Sequence, residues 1–234
     1  MRIFKIQTVT PPYLQLAVDL PDLNSVQSLF NKLDYPISPQ LILEIGSPLI
    51  KNEKLVDTVQ VFKEFAPNTY LVADFKTLTS GRLEAEIAAK TGVDGAVISA
   101  IAPFKEINDF FHACRKNEID SWLDALETPH DKLWAILRLQ ESPTGVIIRS
   151  DPTESIDHQR VSWMVMTQIK KTKLTSRILT GAAGNLTLET APEVRRYGAD
   201  IVIIGKAIHQ AADPQREISR FLFSIKTNEW DYTE

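Results

Sequence analysis

Asp74 and Lys76 stand two residues apart in LVADFKTLTSG (71–81), inside a run whose Leu71, Val72, Ala73 and Phe75 belong in an interior. An interior excludes such charges unless they are paired or put to use. Polar residues close other short apolar runs too: Asp19 after YLQLAV, Glu44 in QLILEIG, Ser99 in DGAVISA and Asp124 in DSWLDAL. Arg149 in TGVIIRS, Thr180 in SRILTG, and Gly205 with Lys206 in DIVIIGK continue the pattern. Alternation along a strand turns Asp74 and Lys76 to one side and Phe75 to the other. If the runs are neighbouring strands, Asp19, Glu44, Asp74 and Asp124 share one low-dielectric mouth with Lys76, and one lysine does not neutralise four carboxylates. A divalent cation is the natural counter-charge. Oxygen ligands without His or Cys select a hard ion, and a small ligand set leaves places for water and substrate oxygens, as Mg²⁺ prefers. An ion-pair network that only braces the interior is the alternative reading.

The elements that must position these residues follow from periodicity. The eight runs are strand-like, and amphipathic stretches separate them. DLNSVQSLFNKL (22–33) sets Val26, Leu29, Phe30 and Leu33 at three-to-four spacing, and NEKLVDTVQVFKEF (52–65) sets Leu55, Val59 and Phe62 on one face. Further helical patterns cover 80–91, 103–116, 129–140, 154–171, 187–197 and 213–225. Eight strand-helix units predict an α/β fold, a closed (β/α)8 TIM barrel in a single domain. It would span about residues 13–225 of the 234, with about nine loose residues at each end. An open doubly wound sheet is the rival, but neither G-x-G-x-x-G nor G-x-x-x-x-G-K-[ST] occurs in the chain. In a barrel the polar strand ends form one rim, the face on which active sites lie.

A second feature follows the last two strands. LTGAAGN (179–185) and IIGKAIHQAADP (203–214) place glycines where backbone amides approach a ligand closely, and Lys206 adds positive charge. This is the usual phosphate cradle of a barrel; tight turns at Gly181, Gly184 and Gly205 are the plainer alternative. Lys and Arg number 26 against 30 Asp and Glu, for a net charge of -4, and they are scattered, so nucleic acid is not expected as a partner. Cys114 is the single cysteine, which excludes an internal disulfide and suits the cytoplasm. MRIFKIQTVTPP lacks the apolar stretch of a secretory leader, and no apolar run approaches the ~18 residues of a membrane span. A soluble intracellular protein is the expectation. His112, His130 and His158 read as surface residues, while His209, four residues past Gly205, either approaches a bound phosphate or stays at the surface.

Taken in order, LQLAVDL, LEIGSPLI, VADFKT, GADIVIIGKAI and AADP resemble the orotidine monophosphate decarboxylase superfamily across about residues 13–225. Within it the chain is most similar to the 3-hexulose-6-phosphate synthases, and next to the 3-keto-L-gulonate-6-phosphate decarboxylases. The resemblance implies a barrel that works as a homodimer, with sites near the subunit interface and, in this branch, Mg²⁺ holding an enediolate. It places the metal-binding glutamate at Glu44 in EIGSP, and the aspartate and lysine of a D-x-K-x-x-D motif at Asp74 and Lys76. Asp19 matches a substrate-contacting aspartate, and Asp124 matches the acidic residue that ends the fifth strand. Orotidine monophosphate decarboxylase itself has lysine at the position of Glu44 and works without metal, so the resemblance is to the metal-dependent branch.

Three departures accompany this likeness. Thr79 replaces an aspartate that reaches toward the neighbouring subunit's site, Arg149 replaces a histidine suited to proton transfer, and Gly181-Ala182 replaces paired glycines. Arginine stays protonated and is no base. The implied activity is that of an aldehyde-lyase. D-ribulose 5-phosphate, its phosphate on Gly184, Gly205 and Lys206, loses a C1 proton to give an enediolate held by Mg²⁺ and Lys76, which adds formaldehyde to form 3-hexulose 6-phosphate. Asp124 or a water relay is the base, and Arg149 and Thr180 lie on the substrate side. A keto-sugar-phosphate decarboxylase and a non-catalytic sugar-phosphate-binding barrel remain as the other readings.

Overall fold

Alternating side chains give each strand two apolar faces, one for helices and one for the inside of a barrel. The computed structural model describes residues 10–36, 38–151 and 153–226, so most of the two extensions expected to be loose lies outside the described residues. The strands are β1 (Tyr13–Val18), β2 (Leu41–Ile45), β3 (Tyr70–Thr77), β4 (Gly95–Ser99), β5 (Asp120–Asp124), β6 (Gly145–Arg149), β7 (Leu179–Ala183) and β8 (Ile201–Ile204). They pair in parallel and in sequence order, and β8 closes on β1 to complete a (β/α)8 barrel in a single domain.

The helices α1 (Leu23–Phe30), α2 (Ser47–Asn52), α3 (Leu55–Phe65), α4 (Gly81–Thr91) and α5 (Phe104–Lys116) fill the connections of the first half. Those of the second half are α6 (His130–Leu137), α7 (Ile156–Lys171), α8 (Thr190–Arg196), α9 (Lys206–His209) and α10 (Pro214–Lys226). All eight expected strands and all eight expected helices form. The additions, α2 and α9, are single turns too short for hydrophobic periodicity to mark.

Leu14, Leu16 and Val18 of β1 pack outward with residues such as Phe62, Phe110, Trp163 and Phe221 in the large core between strands and helices. Tyr13, Ala17, Ile42, Val72, Val97, Trp122, Ile147, Leu179, Ala183, Ile201 and Ile203 form the smaller core inside the barrel. Trp122 plugs that interior. A side chain on Gly145 would begin 2.1 Å from the Trp122 ring, which is why the start of β6 carries none. Below the indole, Tyr70 Oη donates to Asp120 Oδ2 at 2.8 Å and accepts from Trp122 Nε1 at 3.3 Å, while Thr144 Oγ1 donates to Asp120 Oδ1 at 3.2 Å. The floor is therefore sealed by one aromatic ring and a satisfied polar network, and chemistry is left to the other end.

The plug generates a prediction. Gly145→Ala forces overpacking against Trp122 and should cost ~1–3 kcal/mol of stability. Urea unfolding followed by tryptophan fluorescence measures it, and an unchanged midpoint contradicts the assignment.

Candidate active site

β3 leaves regular pairing as it reaches the C-terminal mouth. Val72 and Ala73 pair with Gly95 and Ala96, but the next pairing joins Thr77 to Ile98, so Asp74, Phe75 and Lys76 bulge opposite Val97. Lys76 has φ 48, in the left-handed region that side chains rarely occupy. Simple alternation therefore does not carry through this stretch. Asp74 and Lys76 still meet, because the bulge curls the lysine back: its N–H donates to Asp74 Oδ1 at 3.2 Å, and its Nζ lies 2.7 Å from Asp74 Oδ2. Phe75 packs outward against the helix-side core.

The ammonium of Lys76 also lies 3.0 Å from Asp124 Oδ2 at the end of β5. Arg149, ending β6, donates its Nε to both oxygens of Asp124 at 3.0 and 2.9 Å. The Leu126 N–H adds a third donor at 3.1 Å to Asp124 Oδ1. A carboxylate held by two cations and an amide is built as an anchor, an arrangement that suits the base role shared between Asp124 and a water relay less than it suits positioning Lys76. Burial opposes the charges on Lys76 and Arg149, but the carboxylates around them outweigh it and raise the proton affinity of both.

Glu44 is differently placed. It ends β2 facing inward, is 3% exposed, and accepts a hydrogen bond from Gln15 on the neighbouring strand. Burial, reinforced by the charges of Asp74 and Asp19 and opposed by Arg149, pushes its pKa up to about 8. Burial also raises Asp74 despite its ion pair with Lys76. Asp19 completes the group: its Oδ1 fills the space where a side chain on Gly46 would stand, 2.2 Å from that Cβ position, and it lies beside Gly205. Gln15 was not expected in the site. Its signal was an amide inside an apolar strand, at the parity of Tyr13 and Ala17.

Two cations thus face four carboxylates, where the D-F-K stretch alone suggested one, and among the described residues neither forms an ion pair with Glu44. Among the described residues no three His, Cys, Asp or Glu side chains form a ready-made cage for a metal ion. The Glu44 and Asp74 pair nevertheless fits a hard divalent cation, because Mg²⁺ is held by one or two carboxylates and completes its shell with water and substrate oxygens.

A cavity of about 1200 Å³ opens beside this cluster, lined by Asp19, Arg149, Gly184, Gly205 and Lys206 among others. Gly184 has φ +116, and a Cβ there would fall 2.2 Å from the Ser150 carbonyl oxygen, so only glycine lets the loop after β7 approach the loop after β6. Thr180 is absent from this group, which corrects its placement at the rim. It is the second residue of β7, at the parity opposite to Leu179 and Ala183, and its hydroxyl donates to the Gly198 carbonyl oxygen at 2.5 Å. Its amide bonds Asp200 Oδ2 at 2.8 Å, so Thr180 is fully occupied at the far end of the barrel. His209 borders a separate groove with Leu20, Asp22 and Lys32 rather than this cavity. His112 pairs with Glu141, and His130 with Trp134 and Gln168, away from the mouth. Thr79 is exposed on the loop after β3.

Together, the closed barrel and the acid-lysine cluster at its C-terminal mouth define a (β/α)8 protein with an active-site face of the usual kind. The chain belongs to the orotidine 5'-phosphate decarboxylase / HUMPS family, which matches residues 12–221. Its relatives include the bifunctional enzymes Fae/Hps of Methanosarcina barkeri, 33% identical over 222 residues, and of Methanocella arvoryzae, 35% identical over 221. Each alignment covers 94% of this chain and 54% of the relative, so the chain spans about half the length of those proteins. A crystal structure of 3-hexulose-6-phosphate synthase matches with a TM-score of 0.75 and 26% identity, covering 92% of this chain and 100% of the other. The crystal structure of KGPDC from Streptococcus mutans shares the fold at a TM-score of 0.73 and 18% identity, over 92% and 98% of the two chains.

The buried Glu44 carboxyl gives a sign that is open to measurement. Its folded pKa lies above its unfolded one, so its contribution to stability is full at low pH and is lost as pH rises through about 8. With divalent cations chelated, Glu44→Gln should match the wild type near pH 5 and exceed it at pH 9, by up to a few kcal/mol. Thermal unfolding across that range is the check, and parallel curves for the two proteins would count against the buried charge.

Proposed function

We propose that this chain is a carbon-carbon lyase of the 3-hexulose-6-phosphate synthase kind, joining formaldehyde to D-ribulose 5-phosphate through a 1,2-enediolate. The observation that carries this reading is the Lys76 ammonium, braced between Asp74 and Asp124 on a strained turn of β3, with Arg149, which grips the same Asp124, lining a cavity that also holds Gly184 and Gly205. A cation held in place before the reaction stabilises an oxyanion without reorganising. The family likeness and the Fae/Hps relatives support the same chemistry.

In this mechanism Gly184, Gly205 and Lys206 receive the phosphate, and Asp19, between β2 and β8, faces the sugar hydroxyls. Glu44 and Asp74 would hold Mg²⁺, which supplies Lewis acidity that withdraws electrons from the C2 carbonyl and makes the C1 proton more acidic. Lys76 stabilises negative charge on the enediolate oxygens. Arg149 holds Asp124 in place, and so fixes Lys76 from behind. Both cations only donate, so the proton taken from C1 goes to a carboxylate or to water that a carboxylate holds.

A 3-keto-L-gulonate-6-phosphate-type decarboxylase would share the enediolate. Its substrate brings a further carboxylate, whereas the cavity lining already holds Asp19, Glu127, Asp151, Glu154, Glu189 and Glu217. That negative field favours a neutral second partner such as formaldehyde. We also propose a homodimer: Leu78, Leu83, Ile87, Ile101, Phe104 and Leu126 are exposed on the adjacent units that follow β3, β4 and β5. The cytoplasm is the proposed compartment, in keeping with one buried cysteine, and no helix among the described residues is long and apolar enough to cross a membrane.

Proton NMR of D-ribulose 5-phosphate in D₂O tests the chemistry before the second substrate is supplied. Mg²⁺-dependent, stereospecific loss of one C1 proton signal is expected, with Lys76→Met slower by at least ~10²-fold. Absence of exchange in a protein that still binds the sugar phosphate would leave the non-catalytic barrel as the better reading. For the assembly, sedimentation should show a dimer that Ile87→Glu converts to monomer; a monomeric wild type at micromolar concentration rejects it.

A further inference from the structure

Ser150 follows Arg149 out of β6 and is 4% exposed, yet its hydroxyl has no hydrogen-bond partner among the described residues. Buried polar groups are nearly always satisfied, and a hydroxyl left alone is destabilising, so its position asks for a reason. The surroundings supply one. The Ser150 N–H donates to the Ala183 carbonyl at the end of β7 at 3.1 Å, which ties the serine to the loop proposed to receive phosphate. Gly184, the next residue of that loop, would place a Cβ 2.9 Å from Ser150 Oγ and 2.2 Å from Ser150 O. The hydroxyl is out of contact with solvent, and any side chain at position 184 would crowd it further. Ser150, Gly184, Gly205 and Lys206 all line the same cavity.

Resting on the sugar-phosphate reading above, we propose that Ser150 is a further phosphate-binding residue, whose Oγ–H donates to an oxygen of the substrate's phosphoryl group seated on the Gly184 loop. The hydroxyl is a neutral donor whose rotor is free to turn toward an anion. A phosphate oxygen is the strong acceptor that this wall of the cavity, with its excess of carboxylates elsewhere, is suited to attract only here, between Lys206 and the two glycine loops. A charge-assisted bond of this kind forms in the complex and leaves the ligand-free protein with the unpaired group that is observed.

The test compares wild type, Ser150→Ala and Ser150→Cys by calorimetric titration with inorganic phosphate and with D-ribulose 5-phosphate, alongside thermal unfolding of each protein without ligand. Both variants should lose affinity for the two ligands by the same factor, roughly 10- to 100-fold. Their unfolding temperatures should equal or exceed that of the wild type, since no bond within the protein is broken. Unchanged affinity for both ligands overturns the proposal, and so does a loss confined to the sugar phosphate, which would place the hydroxyl on the sugar. If the wild type binds inorganic phosphate but not D-ribulose 5-phosphate, the sugar reading fails while the phosphate titration of the variants still decides the role of Ser150. If the wild type binds neither, both ideas fall. A lower unfolding temperature in both variants would assign the hydroxyl an internal partner and overturn the inference.

Discussion

The ammonium of Lys76 lies 2.7 Å from Asp74 and 3.0 Å from Asp124, and so joins β3 to β5 across the mouth of the barrel. Such a bridge gains little at a surface but is indispensable once built in a low-dielectric site, because removing one partner strands the others as uncompensated charges. The left-handed backbone at Lys76 costs on the order of 1–3 kcal/mol and persists because these ion pairs hold it. Arg149 extends the chain of charge to β6 by gripping both oxygens of Asp124. Disturbing any member moves the others, so the cluster behaves as one preorganised unit rather than four separate residues.

Glu44 stands at the edge of that unit and is held in tension by it. The cations that grip Asp124 make no ion pair with the β2 carboxyl, and burial, reinforced by Asp74 and Asp19, outweighs the pull of Arg149 on it. A carboxyl so placed favours its neutral form until a positive charge is brought beside it. The other end of the barrel shows the contrast. There Asp120 is satisfied by Tyr70 and Thr144 beneath the Trp122 plug, with nothing left to offer a ligand.

Much of this was legible in the chain. Eight strands and eight helices were readable because each carries enough residues to express its period, and the rim residues Asp19, Glu44, Asp74, Asp124 and Arg149 followed from their place at the ends of apolar runs. Thr180 was misplaced for an instructive reason: SRILTG is short, the true strand begins at Leu179 and runs on to Ala183, and a shift of start moves a residue from rim to floor and from one face to the other. Gln15 was passed over because a lone amide in a strand carries little signal until its neighbour Glu44 is known. The bulge in β3 was invisible, since nothing in D-F-K announces a left-handed lysine.

The sequence by itself determined the barrel, its order and the identity of most charges at its mouth, because periodicity and composition act locally along the chain. Which charge meets which was decided only by the tertiary structure. Strand stagger and the β3 bulge set Lys76 between two aspartates, assigned Arg149 to Asp124 and left Glu44 without an ion pair among the described residues. Pairing across a barrel depends on register between segments tens of residues apart, and Coulomb energy depends on distance and burial, neither of which is written in a linear spacing.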